Sequence, residues 1–267
     1  MTYHERILLV GFGKMGSALL HGWVKAGVTP DSISVIDPFV ELEIPEGVAH
    51  VKDVRELNLT NNPTVVVFAV KPQSLDKVVP IYKQYDDSNT AFLSIAARKP
   101  ISYFERKLKQ SAIIRGMPNT PASIGQGITV LCSNDRTTSD QKKLCTKLMK
   151  SVGEVEWVSD EKLMDAVTGL SGSGPAYVFH LVEAMAEAGR EVGLSKELSM
   201  SLARSTVAGS GALLKENTVP VRILRENVTS PGGTTAAALE VLMGNERLTK
   251  LMCETVIRAT ERSKKLA

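Results

Sequence analysis

The chain is short of cysteine, of histidine and of long apolar runs, and each shortage argues against a class of function. Its three cysteines, Cys132, Cys145 and Cys253, are odd in number, far apart and in no CxxC pair, which speaks against a disulfide framework or a zinc site and fits a reducing compartment. The four histidines, His4, His21, His50 and His180, are scattered. No HExxH, GxSxG or phosphate-loop lysine motif is present, so no metal site and no serine nucleophile is expected. The longest uninterrupted apolar run, Val65 to Val70, is a strand's length, whereas a membrane-spanning helix needs about 20 apolar residues. The opening residues are too few and too acidic for a signal peptide, and a soluble, cytoplasmic protein is expected. The formal net charge is only +3, and the one dense basic cluster, Arg262, Lys264 and Lys265, reads as a solvated helix end. Neither a membrane nor nucleic acid is therefore expected as a partner.

What is present is a clear change of pattern along the chain. Up to about residue 160, short β-branched runs alternate with amphipathic stretches, the mark of an α/β domain built on a mostly parallel sheet. Strands are predicted at residues 6–10, 32–36, 64–69, 90–95, 112–115, 128–132 and 154–158, with helices at 14–26, 74–85, 102–109 and 139–151. From 161 to 267 the strand signal is gone and an all-helical second domain is expected. A flexible run, Gly169-Leu-Ser-Gly-Ser-Gly174, leads to a helix opening near Pro175, and further helices are predicted over 196–215, 235–243 and 246–264. These helices carry many small residues, among them Ala184, Ala188, Gly189, Ala203, Gly209 and Gly211. Such thin apolar cover predicts packing against the first domain and against a second subunit.

Gly11-Phe12-Gly13-Lys14-Met15-Gly16 follows a predicted strand and opens a predicted helix, the context in which a GxGxxG pattern signals a dinucleotide site. Gly11 permits the turn, Gly13 lets a pyrophosphate approach the backbone, and Gly16 allows close packing, while the helix start offers N–H groups to the phosphates. Asp37 ends the second strand 21 positions beyond Gly16, where a dinucleotide site places a carboxylate on the adenosine ribose. Together with Glu41, and with no arginine nearby, it would repel a 2′-phosphate and so favours NADH over NADPH. The competing reading is that Asp37 only starts a turn before Pro38.

Ala69-Val70-Lys71-Pro72 and Ala96-Ala97 each lie just past a strand's C-terminal end, where open α/β sheets bind ligands, and both are candidate cofactor contacts. Asn119 lies past a further strand in a loop stiffened by two prolines; it either presents its amide to the nicotinamide or the substrate, or belongs to an ordinary turn. In the second domain, Ser230-Pro-Gly-Gly233-Thr234-Thr235 precedes a helix. Its consecutive N–H groups suit a substrate carboxylate, with the Thr235 hydroxyl within reach of the same ligand, and the competing reading is a well-capped helix.

Taken in order, the glycine fingerprint, the Val-Lys-Pro-Gln loop, Arg115-Gly-Met-Pro-Asn-Thr-Pro, Gly169-Leu-Ser-Gly-Ser-Gly-Pro-Ala-Tyr and Ser230-Pro-Gly-Gly-Thr-Thr resemble pyrroline-5-carboxylate reductase across essentially the whole chain. The resemblance implies an N-terminal Rossmann-like dinucleotide-binding domain and a helical domain that forms an obligate homodimer, sometimes assembled further. It implies NAD(P)H-dependent reduction of 1-pyrroline-5-carboxylate to L-proline, the last step of proline synthesis. It also implies a substrate carboxylate on Gly233 to Thr235, with Thr235 on the ring nitrogen. One departure stands out: bacterial members that bind NADPH are similar in carrying Asn-Arg after the second strand, where this chain has Asp37-Pro38. Two rivals are a dehydrogenase of the 3-hydroxyacid type, for which no lysine sits in the matching glycine-asparagine pattern, and a non-catalytic dinucleotide-sensing protein.

Overall fold

The computed structural model describes residues 5–57 and 62–266, so His4 lies outside the described residues. The chain forms two compact units, one running to Gly172 and taking in the residues from Ala259 onward, the other spanning Ser173–Arg258. The first unit carries eight strands: β1 (Ile7–Val10), β2 (Ile33–Ile36), β3 (Ala49–Val51), β4 (Val65–Phe68), β5 (Ala91–Ser94), β6 (Ala112–Met117), β7 (Gly127–Ser133) and β8 (Gly153–Trp157). They form one sheet in the order β3-β2-β1-β4-β5-β6-β7-β8. All neighbours are parallel except β6 and β7, which are joined by a short connection and run antiparallel.

Strands in such a sheet are covered on both faces, which explains why β1 and β4 read as unbroken apolar runs and why β1, β2, β4 and β5 are buried throughout, Ser34 and Ser94 included. Ile7 and Leu9 face one cluster with Leu19, Leu20 and Trp23 of α1 (Lys14–Lys25), while Leu8 and Val10 face another with Phe68, Tyr82, Phe92 and Phe104. In the second cluster the Phe68 ring stacks on Phe92 with centroids 5.9 Å apart and meets Tyr82 edge-on at 5.4 Å.

Three sequence expectations about this unit need correction. Residues 74–85 are not one helix but a single α-turn, α2 (Leu75–Val78), followed by a 3₁₀ segment (Val79–Tyr85), because Pro80 has no N–H to donate to an i−4 carbonyl. The helix expected at 102–109 is the short α3 (Ile101–Glu105). α4 (Ser139–Lys150) follows the expected span; the Trp23 indole N–H donates to the Leu148 carbonyl at 2.9 Å, tying α1 to α4. The third concerns the glycine run after α5 (Met164–Val167), which is not a flexible connection: Thr168–Gly172 continues as a π-helical turn. Thr168 Oγ1 donates to the Met164 carbonyl at 2.8 Å, and a Cβ at Gly172 would come within 2.6 Å of Met117 Cε, so the glycine is there to let Met117 close in.

In the second unit, α6 (Gly174–Glu191) and α7 (Lys196–Glu216) form a helical hairpin closed where a Cβ on Gly189 would stand 2.9 Å from Ser199 Oγ. α8 (Val221–Asn227), α9 (Thr234–Met243) and α10 (Arg247–Leu266) follow; α8 was not expected from the sequence. Ala186 and Ala203 are buried, whereas Phe179, Leu213, Leu214, Leu251 and Ile257 are exposed. The last turns of α10 belong to the first unit, where Ser263 Oγ donates to Asp165 Oδ1 at 2.7 Å. Among the described residues no helix is long and apolar enough to cross a membrane.

Candidate active site

β2, β1, β4 and β5 are parallel neighbours, so Asp37, Gly11–Gly16, Ala69–Pro72 and Ala96–Ala97 all follow strand C-termini along one edge of the sheet. The strand order reverses between β1 and β4, which places the glycine loop at the switch point where open sheets take ligands. Backbone bonds knit these loops together: Gly11 N–H donates to the Ile36 carbonyl at 2.9 Å and Ala69 N–H to the Val10 carbonyl at 2.8 Å.

The three glycines of the loop do different things. Gly11 has φ +98°, and a Cβ there would lie 2.7 Å from Val70 Cγ1. At Gly16 a Cβ would strike the Gly11 carbonyl oxygen. Both glycines are thus demanded by the protein itself. Gly13 is not, since a Cβ there would meet no protein atom within 4 Å. The space kept open beside it is the kind a pyrophosphate needs. Gly13 is the N-cap of α1, no side chain caps that helix, and its first ladder bond runs from Ser17 N–H to the Gly13 carbonyl at 2.9 Å. The N–H groups of Lys14, Met15 and Gly16 precede that ladder, at the positive end of the helix dipole. The site fits a dinucleotide phosphate. The Phe12 side chain is buried in the core, which leaves only its backbone facing the loop.

Asp37 is more than the end of a turn. One carboxylate oxygen accepts the Phe12 N–H at 2.6 Å and the other the Phe39 N–H at 2.8 Å, so the side chain fastens the glycine loop to the end of β2. The loops after β4 and β5 are fastened similarly: Asp76 of α2 pairs with Lys99 at 3.5 Å and Lys107 at 3.7 Å, with the Lys99 ammonium 4.5 Å above the Tyr103 ring. The Tyr103 hydroxyl, and then the two ammonium groups, hold the Asp76 carboxyl below its ordinary value. Lys71 is exposed and caps a 3₁₀ turn, and Ala96 is buried. Arg98, next to Ala97, has φ +76°, a strained conformation for a side chain of this size.

Asn119 spends its carboxamide inside the protein: Oδ1 accepts Ile128 N–H at 2.9 Å and Nδ2 donates to the Ser171 carbonyl at 3.3 Å. A second clasp, which sequence reading missed, joins buried Arg115 to Glu161 at 2.9 Å, with the same carboxylate oxygen accepting Ile101 N–H at 2.8 Å. Its only sequence signal was a charged residue closing the predicted strand at 112–115, which the structure extends past it to Met117.

In the second unit, Gly232 turns the chain with φ +67°, and Gly233 becomes the N-cap of α9 without any side-chain cap bond. A Cβ at 233 would stand 2.5 Å from Ser230 Oγ, so a side chain there would have to displace that hydroxyl. The first ladder bond is from Ala237 N–H to the Gly233 carbonyl at 3.2 Å, so the N–H groups of Thr234, Thr235 and Ala236 open the helix. Thr234 is exposed and Thr235 half-buried, and neither occupies the cap position. Each unit therefore carries one glycine-capped helix start suited to an anion.

A family model described as pyrroline-5-carboxylate reductase dimerisation matches residues 161–266, and one described as NADP oxidoreductase, coenzyme F420-dependent, matches residues 6–98. The pyrroline-5-carboxylate reductase of Methanosarcina acetivorans is 35% identical over 98% of both chains. Among solved structures, a pyrroline-5-carboxylate reductase from Coxiella burnetii shares 34% identity with a TM-score of 0.91 over 99% of both chains. Plasmodium falciparum pyrroline carboxylate reductase, solved with NADP bound, shares 32% identity with a TM-score of 0.81 over 98% of both. With likeness of this degree running through both units, the chain belongs to the pyrroline-5-carboxylate reductase family.

Proposed function

We propose that the chain reduces 1-pyrroline-5-carboxylate to L-proline with NAD(P)H, the closing step of proline synthesis. The observation that carries this reading is the full-length likeness to pyrroline-5-carboxylate reductases. The two glycine-capped helix starts supply the two anion sites that a dinucleotide and an amino-acid-like substrate require. When bound, the reduced nicotinamide supplies a hydride to the imine carbon. The protein's own task is alignment, because a cyclic imine, above all when protonated, accepts hydride at carbon without a strong acid. In this reading residues 1–160 hold the cofactor, with phosphates on Gly11–Gly16, ribose at Asp37, and the nicotinamide half near Ala69–Pro72, Ala96–Ala97 and Asn119. Residues 161–267 hold the substrate carboxylate on Gly233–Thr235, and the Thr235 hydroxyl bonds the ring nitrogen.

Cofactor choice is read from charge: a 2′-phosphate near Asp37, with Glu41 close by in sequence and no arginine nearby, would be repelled, so NADH serves at least as well as NADPH. The exposed apolar side chains of the second unit, in the segment matched by the dimerisation model, support an obligate homodimer. The enzyme works in the cytoplasm, without nucleic acid. Loss of reduced-nicotinamide absorbance, with and without pyrroline-5-carboxylate and with each cofactor in turn, tests the whole reading. Substrate-dependent oxidation supports it, and tight cofactor binding without turnover would make the protein a sensor instead.

A further inference from the structure

Arg98 holds a left-handed backbone, φ +76°, which a residue with a side chain adopts only at a cost. Nothing its own side chain does offsets that cost: the residue is half-buried, and among the described residues its guanidinium makes no ion pair and no hydrogen bond. Such a conformation persists where the surroundings over-determine it. Before Arg98, the Ile95 N–H donates to the Phe68 carbonyl at 3.1 Å and the Ala96 N–H to Ser94 Oγ at 3.3 Å, which fixes the segment to β4 and β5. After it, Lys99 pairs with Asp76 at 3.5 Å and the Ile101 N–H donates to Glu161 Oε1 at 2.8 Å.

The last of these ties is unlike the others. The Lys99 pair is made to a carboxylate that is 60% exposed, a kind of ion pair that holds little. Glu161 stands 60 residues further along the chain and is itself fixed, because the same Oε1 accepts Arg115 Nη1 at 2.9 Å from a guanidinium buried in β6. α3 has proline at its N-cap and no side-chain cap of its own, so Glu161 caps it from a distance with a charged acceptor. We infer that Glu161, seated on Arg115, is a positioning residue for the cofactor: it anchors the far end of the segment after β5 and so keeps Ala96, Ala97 and strained Arg98 in the shape that receives the nicotinamide half. This rests on the proposed reading of Ala96–Ala97 as cofactor contacts and adds the residue that fixes their geometry. With the tie cut, Arg98 relaxes to an ordinary φ, the peptide beside Ala97 turns with it, and the cofactor has to restore the strained form as it binds.

Glu161→Ala would strand a buried guanidinium and endanger the fold, so the test cuts the bond from its other end. Ile101→Pro removes the N–H and leaves the Arg115 pair standing, at a first helical position where proline is accepted. Ile101→Ala is the control that loses the buried side chain and keeps the N–H. Each is made alone and together with Arg98→Gly, and each is followed by fluorescence titration of NADH, by amide exchange over residues 95–100 without cofactor, and by melting. Ile101→Pro should speed exchange and raise the NADH Kd about five- to a hundredfold, the range that one relaxed left-handed residue can produce, with KM for pyrroline-5-carboxylate at saturating NADH unchanged. Ile101→Ala should melt lower and bind NADH within about twofold of wild type. Glycine takes a left-handed φ freely, so Arg98→Gly should by itself raise the melting temperature and, added to Ile101→Pro, should restore most of the lost affinity. An unchanged Kd in Ile101→Pro, an equal loss in Ile101→Ala, or no rescue by Arg98→Gly would overturn the positioning role. So would an Arg98→Gly chain no more stable than wild type, even if Ile101→Pro failed to fold. A wild-type chain that binds neither NADH nor NADPH would instead overturn the family reading, and this one with it.

Discussion

Asp37 and Phe12, 25 residues apart, are joined by a 2.6 Å bond from the Phe12 N–H to the Asp37 carboxylate, and this makes the side chain proposed to bind ribose also a strut of the glycine loop. Asp37→Ala removes both functions. Hydrogen bonds to a charged group contribute about 1.5 to 3 kcal/mol each, so both cofactors should bind roughly tenfold or more weakly, NADH losing more than NADPH. Paired Kd measurements check it. An unchanged NADH to NADPH ratio would end the assignment of cofactor choice to Asp37.

Gly13 and Gly16 lie in one motif and should respond to alanine in opposite ways. Gly16→Ala drives a methyl group into the Gly11 carbonyl and should lower the melting temperature by several degrees, with about 1 to 3 kcal/mol lost. Gly13→Ala meets no protein atom and keeps an ordinary φ of −75°, so the fold should be unaffected while cofactor Kd rises at least tenfold. Calorimetry and cofactor titration on both variants separate the effects. A Gly13→Ala enzyme with wild-type affinity would show that the open space is not where the phosphates lie.

Thr235 opens α9 beyond its glycine cap, and no side chain caps that helix. Thr235→Ala should therefore cost little stability and should lower kcat/KM between about twofold and a hundredfold, the range for losing one hydrogen bond to a neutral or charged partner. Cofactor Kd should hardly move. Steady-state kinetics and melting on one preparation decide the matter; full activity with a lowered melting temperature would confine Thr235 to the helix.

Burial pushes the Cys145 thiol up to about 12, against an unfolded value of about 8.5. Below the lower figure folded and unfolded chains hold the proton alike. As pH rises between the two, only the unfolded chain releases it, so this residue's contribution to stability is lost on the alkaline side. Native protein treated with iodoacetamide at about pH 8 should leave Cys145 unmodified by mass spectrometry, whereas denatured protein is labelled at every cysteine. Rapid native labelling of Cys145 would contradict its burial.

Most of the sheet was legible because its central strands are covered on both faces and so are short runs rich in apolar, β-branched residues. β3 was not, being three residues at the sheet's edge, with Ala49 and His50 exposed and no apolar face to betray it. α8 was missed because seven residues after Pro220 carry too little periodicity. The glycine run at 169–172 was misread because the partners that order it, Met117 and Asn119, are some fifty residues away. For the same reason the motif gave the glycine loop and Asp37 separately but not the bond between them: spacing records which residues share an element, and not which loops meet after folding.

The attachment of Ser263 to Asp165 bears on the order in which the molecule can be built on a ribosome. The sheet is translated first, and local pairing of β1 with β2 and of β4 with β5 can begin as it emerges. That unit is nevertheless finished by residues 259–266, made only after the whole of the helical unit has been synthesised. Until then the nascent chain carries an Asp165 carboxylate without its hydroxyl partner, and a stall or truncation before residue 259 releases a first unit that is unfinished although its entire sheet is present.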